Sequence, residues 1–129
     1  MRHIVITGTS SGIGYATVKY LIDRGFYVFG CVRTEKDAAE LRKAYPQQFS
    51  PLVFDLIDEE GIRTSVKEVE QHLDGQPLFG LVNNAAAVVS GPIAHVSKED
   101  MFYQFEVNIC ARPISRFCGA EKARNQAES

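Results

Sequence analysis

A chain of 129 residues, 45% of them hydrophobic, has material for one buried core and hardly two, so it is read as a single domain at most. Its formal net charge is −2 and its 14 lysines and arginines are scattered, which leaves no basic field for a nucleic acid. No apolar stretch reaches the roughly 18 residues that cross a bilayer, and the chain opens directly on a strand pattern, so a cytoplasmic protein without a transmembrane segment is expected.

The first pattern is the apolar run Ile4-Val5-Ile6, a strand, followed by Thr7-Gly8-Thr9-Ser10-Ser11-Gly12-Ile13-Gly14 and then by Ile13, Ala16, Val18, Leu21 and Ile22 at helical spacing. A strand that feeds a glycine turn opening a helix is a phosphate-binding device. The first helical turn carries N–H groups without intrahelical partners and the positive end of the helix dipole, both of which favour an anionic pyrophosphate. Gly8 permits the sharp exit from the strand, Gly12 removes a Cβ that would meet the diphosphate, and Gly14 lets the helix pack close to the strand. Ser10 and Ser11 add hydroxyl donors.

Phe26 to Val32 reads as a buried second strand. In a dinucleotide fold the residue at or just after this strand end lies over the adenosine ribose, where an acid accepts from the 2′-OH and an arginine receives a 2′-phosphate. Arg33 therefore argues for NADP(H). The alternative is a solvated Arg33 beginning a loop, with Glu35 as the ribose ligand and NAD as the cofactor. Thr34-x-x-Asp37 has the spacing of a helix cap, Ala38, Leu41 and Tyr45 continue the helix, and Pro46 stops it.

Pro51 to Phe54 is the third strand, with Asp55 at its carboxyl end, where open parallel sheets bind ligands. Asp55 has a second reading as the cap of the following helix. That helix is marked by Ile62, Val66, Val69 and Leu73, starts with Asp58-Glu59-Glu60 complementing its dipole, and ends at Asp74-Gly75. Leu78 to Val82 is the fourth strand, opening into Asn83-Asn84-Ala85-Ala86-Ala87. Ser97-Lys98-Glu99-Asp100 has capping-box spacing, and Phe102, Phe105 and Ile109 share one face of a last helix that carries Asn108. The alternation of four strands and four helices implies right-handed parallel crossovers and an α/β, doubly wound parallel sheet.

Cys31, Cys110 and Cys118 have no Cys-x-x-Cys spacing and read as reduced thiols, and His3, His72 and His95 are far apart in sequence, so no metal is expected.

Thr7-Gly8-x-x-x-Gly12-Ile13-Gly14, Asp55-Leu56, Asn83-Asn84-Ala85 and Asn108, in that order, resemble the motifs of the short-chain dehydrogenase/reductases. The resemblance covers residues 1 to about 110 and implies a Rossmann-like half-fold, incomplete, with strands in the order 3-2-1-4. It also implies an acidic residue against the adenine (Asp55, with Leu56), sheet-stabilising asparagines and small residues beside the adenosine (Asn83, Asn84, Ala85), and a helix asparagine that orders a proton-relay water (Asn108). Ala86 replaces the family glycine, which is tolerable only with a negative φ. The implied activity is that of an NADP(H)-dependent alcohol dehydrogenase or carbonyl reductase, which transfers a hydride between nicotinamide and a secondary alcohol or ketone. Gly30 to Lys36 with Leu41-Arg42 is similar to the steroid, retinol and hydroxybutyrate branch.

The family's serine, tyrosine and lysine lie beyond the asparagine, so of its catalytic set only Asn108 has a counterpart here. Tyr15-x-x-x-Lys19 has the right spacing for that pair but sits in the wrong helix. Pro113 should break the last helix, residues 111–129 carry no fifth-strand pattern, and the fourth strand would be left as an apolar edge. This segment reads as a tail outside the family, disordered or produced by a frame shift near Cys110. A second reading of function is accordingly a truncated, catalytically inactive nucleotide-binding module. A third is an interaction protein, since in the family the Asn108 helix joins a dimer-forming bundle; Phe102 and Phe105 would then supply contact area in a homo-oligomer, although the simpler expectation places them in the core.

Overall fold

The computed structural model describes residues 1–110 and Phe117. The elements run β1 (His3–Thr7), α1 (Gly12–Ile22), β2 (Tyr27–Val32), α2 (Glu35–Ala44), β3 (Phe49–Val53), α3 (Glu59–Leu73), β4 (Gly80–Val82), a 3₁₀ turn (Ile93–His95), α4 (Lys98–Phe105) and a π-helical turn (Glu106–Cys110). All strand pairs are parallel and the sheet order is β3-β2-β1-β4.

The apolar strand runs are continuous because both sheet faces are covered. Val5, Phe29, Cys31 and Leu52 point to one face and join Ile62, Val69 and Leu73 of α3, with Phe117 also in this cluster. Ile4, Ile6, Val28, Val32 and Phe49 point to the other face, against Val18 and Ile22 of α1 and Ala38 and Leu41 of α2. The alternation of neighbours between faces is the two-residue period of a strand, and α1, α2 and α3 supply the two outer layers of a doubly wound, Rossmann-like sheet.

Three helices start on side-chain caps, two of them, Thr34 and Ser97, as the sequence indicates. The Thr34 hydroxyl accepts from the Asp37 N–H at 3.2 Å, an Asp58 carboxylate oxygen accepts from the Gly61 N–H at 3.0 Å, and the Ser97 hydroxyl accepts from the Asp100 N–H at 3.1 Å. Asp58, not Asp55, is thus the cap of α3. That helix ends with Asp74 and Gly75 both at positive φ, 46° and 82°, a left-handed stop.

Several boundaries differ from the sequence reading. The third strand begins earlier, at Phe49, and Pro51 lies inside it opposite Gly30; proline is tolerated because β3 is an edge strand. The fourth strand is shorter, with Gly80 to Val82 opposite Ile4 to Ile6. The last helix leaves α geometry at Glu106 and continues as the π-helical turn that carries Asn108. Phe102, Phe105 and Ile109 are 63%, 56% and 66% exposed, so the expectation that the phenylalanines are core fails; Val107 is the buried residue of that segment. The expectations for Pro113, a missing fifth strand, Cys118 and the tail lie, Phe117 apart, outside the described residues.

Candidate functional site

The carboxyl ends of the four strands open on a cleft of about 560 Å³. Its floor is the glycine turn, where Gly8, Ser10, Ser11 and Ile13 line it, and its walls come from Arg33 past β2, from Asp55 and Leu56 past β3, and from Asn84 and Ala85 past β4. Nine of the thirteen residues singled out from sequence are therefore brought to one place. Gly12, Gly14, Asn83 and Asn108 are not part of the lining.

Gly12 and Gly14 shape the turn instead. Gly12 has φ +59° and a Cβ there would meet nothing within 4 Å, so its bareness keeps open space open. Gly14 is the reverse: a Cβ would overlap the Gly8 carbonyl oxygen and approach the Asn84 side chain. Gly8 has φ +72° and its Cβ position is 2.8 Å from Ala85 Cα, so the turn passes almost against the exit of β4. Ile13, expected on the apolar face of α1, is 79% exposed and belongs to the cleft; the buried stripe of α1 is Gly14, Val18 and Ile22.

Two side chains from the turn hold this arrangement. Thr7 Oγ1 accepts from the backbone N–H groups of Asn84 and Ala85, each at 3.0 Å. The Asn84 carboxamide returns the tie, donating through Nδ2 to the Thr7 and Gly8 carbonyls at 3.2 and 3.0 Å. On the other side Thr9, fully buried, donates through both N and Oγ1 to the Cys31 carbonyl at 3.1 and 3.2 Å. The turn is thus tied to β4 and to β2 at once. Thr7 and Thr9 were not singled out as site residues, although Thr7 stands in the motif; their value lies in contacts across the sheet. Asn83 is exposed and makes no hydrogen bond among the described residues.

Asp55 accepts from the Ile57 N–H at 3.2 Å through Oδ1, an Asx turn that leaves its other carboxylate oxygen unused among the described residues. Arg33 is exposed at the cleft lip, while Glu35 starts α2 and is absent from the lining. Cys31 also lines the cleft, but burial pushes its thiol pKa up, so it is a poor nucleophile. Asn108 acts at a distance from the lining: Oδ1 accepts from the Ala87 N–H and Nδ2 donates to the Ala87 carbonyl, both at 2.8 Å, clamping the segment that follows Ala85. Ala86, between these ties, has no positive φ, which removes the steric objection to alanine there.

Tyr15 and Lys19 form no acid–base pair. Lys19 is bound to Asp23 at 2.9 Å and Tyr15 hydrogen-bonds Tyr45, whose pKa is raised by burial and by that bond. Tyr103 and Val107, from α4 and the turn after it, complete the cleft wall and were not foreseen, since a helical apolar pattern does not tell which of its faces meets a ligand.

A glycine turn into an uncapped helix, at the carboxyl ends of a parallel sheet ordered 3-2-1-4, defines a dinucleotide-type α/β fold. Residues 2–113 match the family described as short chain dehydrogenase, and the chain belongs to that family. It is 42% identical over 111 residues to an NADPH-dependent 3-dehydrocapnine reductase of Ornithobacterium rhinotracheale, covering 86% of this chain and 39% of that protein. It is 34% identical over 109 residues to retinol dehydrogenase 16 of Mus musculus, covering 84% of this chain and 34% of that protein. The chain thus spans well under half the length of these curated relatives. Among solved structures, an NADPH-bound carbonyl reductase from chicken fatty liver superposes with TM-score 0.80 at 23% identity, over 92% of this chain and 47% of that one. A blue fluorescent protein from a metagenomic library, in complex with NADPH, gives 0.78 at 25% identity, over 92% of this chain and 50% of that one. Among the described residues no helix is long and apolar enough to cross a membrane.

Proposed function

We propose that this chain is the nucleotide-binding half of an NADP(H)-dependent oxidoreductase. The observation that carries the reading is the N-terminus of α1. The other three α-helices of the described residues are capped by side chains and have acidic residues in the first turn, whereas α1 has neither and opens on the cleft through Gly12. Its N–H groups and dipole favour an anion that no group among the described residues supplies.

The dinucleotide fits these residues. Its diphosphate would lie on the first turn of α1 with the Ser10 and Ser11 hydroxyls, which have no partner among the described residues. Arg33 would take the 2′-phosphate, Asp55 and Leu56 the adenine edge, and Asn84 and Ala85 the ribose side of the floor. When bound, the nicotinamide supplies or accepts a hydride. This chain's residues bind and orient it, and the Asn108 clamp on Ala87 fixes the cleft wall beside it. The relatives' names, a reductase and retinol dehydrogenases, support a carbonyl or an alcohol as the substrate of the whole protein, and the resemblance adds the ketone or secondary alcohol. The exposed Phe102, Phe105 and Ile109 fit the paired helices implied by the resemblance, hence a homo-oligomer. NAD in place of NADP has less support, because Glu35 does not reach the cleft.

Titration of the chain with NADPH and NADH tests this. NADPH should bind more tightly, and Arg33→Ala should weaken it about tenfold or more while moving NADH little, since a hydrogen bond to a charged group contributes about 1.5–3 kcal/mol. Equal losses for the two cofactors would sink the 2′-phosphate assignment, and no binding of either would sink the reading.

A further inference from the structure

We infer that Tyr103 is a binding residue for the adenine ring, forming the α4 wall of the cleft; this rests on the function proposed above. Of the described residues from α4 onward, two line the cleft, Tyr103 and Val107. They are four residues apart, on one helical face. Val107 is buried, so it closes the wall, while Tyr103, also in the lining, is only half-buried.

Tyr103 stands apart from the other tyrosines. The chain has five. Tyr27 donates to or accepts from Ser50 at 2.7 Å and packs on Phe29 and His72, Tyr15 and Tyr45 bond each other, and Tyr20 lies under the Arg24 guanidinium at 3.4 Å. Tyr103 is the one tyrosine whose side chain has no aromatic, cation–π or hydrogen-bonding partner among the described residues, its backbone carbonyl accepting from the Glu106 N–H within the helix. A half-buried aromatic ring usually packs on something and its hydroxyl usually finds a partner. Tyr103 lines the cleft, so a ligand in the cleft can supply that neighbour. The apolar lining also includes Phe54, which is buried, and Leu56, which packs on the α3-side core, so among the described residues Tyr103 is the one aromatic ring of the lining that is not buried. A purine is the ligand group that matches: every base presents a π-face, and stacking on an aromatic side chain is tolerant of its edge chemistry. Asp55, with one carboxylate oxygen unused among the described residues, supplies an acceptor for an exocyclic amine on the same cleft.

Calorimetric titration with 2′,5′-ADP, nicotinamide mononucleotide and inorganic pyrophosphate, on the unaltered chain and on Tyr103→Phe and Tyr103→Leu, tests the assignment. Tyr103→Leu should weaken 2′,5′-ADP about tenfold, the scale of one base–aromatic stack, with Tyr103→Phe within about threefold and pyrophosphate unchanged in both. In the unaltered protein, adenine H2 or H8 should show nuclear Overhauser contacts to the Tyr103 ring protons, a readout that needs no variant to fold. Unchanged 2′,5′-ADP binding in Tyr103→Leu, a loss falling on nicotinamide mononucleotide or equally on pyrophosphate, or the absence of those contacts overturns the inference. If the unaltered chain binds pyrophosphate but no 2′,5′-ADP, the adenine assignment fails alone; if it binds neither, the proposed function fails and takes this inference with it.

Discussion

A methyl group at Gly14 would run into the Gly8 carbonyl, whereas one at Gly12 would point into open space from a residue at φ +59°. The two glycines therefore separate stability from binding. Gly14→Ala should lower the urea midpoint, by about 1–3 kcal/mol in stability, because backbone has to move to relieve the overlap. Gly12→Ala should cost about 1–2 kcal/mol for a left-handed alanine and also abolish detectable NADPH binding, since the new methyl occupies the anion's approach. Equal binding by Gly12→Ala and the unaltered chain would remove the diphosphate from this turn. The backbone demands at these two positions were legible in the sequence because glycine is diagnostic of them. The exposure of Ile13 was not, because an apolar residue at a cleft and one in a core look alike in a helical pattern.

Helix starts at Thr34 and Ser97 were legible, since these side chains act on N–H groups three residues away and need no tertiary contact, while at α3 the cap is Asp58 and not the Asp55 the sequence also offered. The π-helical turn was not, because its partner, Ala87, is 21 residues from Asn108. The end of α3 shows the same dependence on distant chain. His72 packs on Tyr27 with ring centroids 4.5 Å apart and on His3 at 5.5 Å, joining α3 to the amino ends of β1 and β2. Burial, and then the neighbouring His72, hold the His3 pKa below its ordinary 6.5. The sign follows from linkage: the unfolded chain takes up this proton first, so the contribution is present above 6.5 and is lost as the pH falls below it. The melting temperature should be level from about pH 8 to 7 and fall below about 6.5, and His3→Gln should flatten that fall. An identical pH profile for the variant would exclude His3 as the cause.

At the scale of the molecule, the strands are not equally secured. β1 is paired on both sides and β4 on one, with Gly80, Leu81 and Val82 each half-exposed. Amide exchange should be slowest in β1 and β2 and at least about tenfold faster in β4, as local opening free energies follow burial and pairing; uniform protection across the four strands would show that β4 is covered by more than the described residues. The sequence by itself determined the fold class, the strand order through family resemblance, the caps at Thr34 and Ser97 and most of the cleft's residue types, because periodicity, glycines and caps act within a few residues of themselves. Only the tertiary structure decided which of those residues meet: that Thr7 and Asn84 bind each other, that Asn108 serves Ala87, that Phe102 and Phe105 stay outside, and that Tyr103 faces the cleft. Hydrogen bonds between residues 21 to 78 positions apart depend on register and sheet order, and no local pattern encodes them.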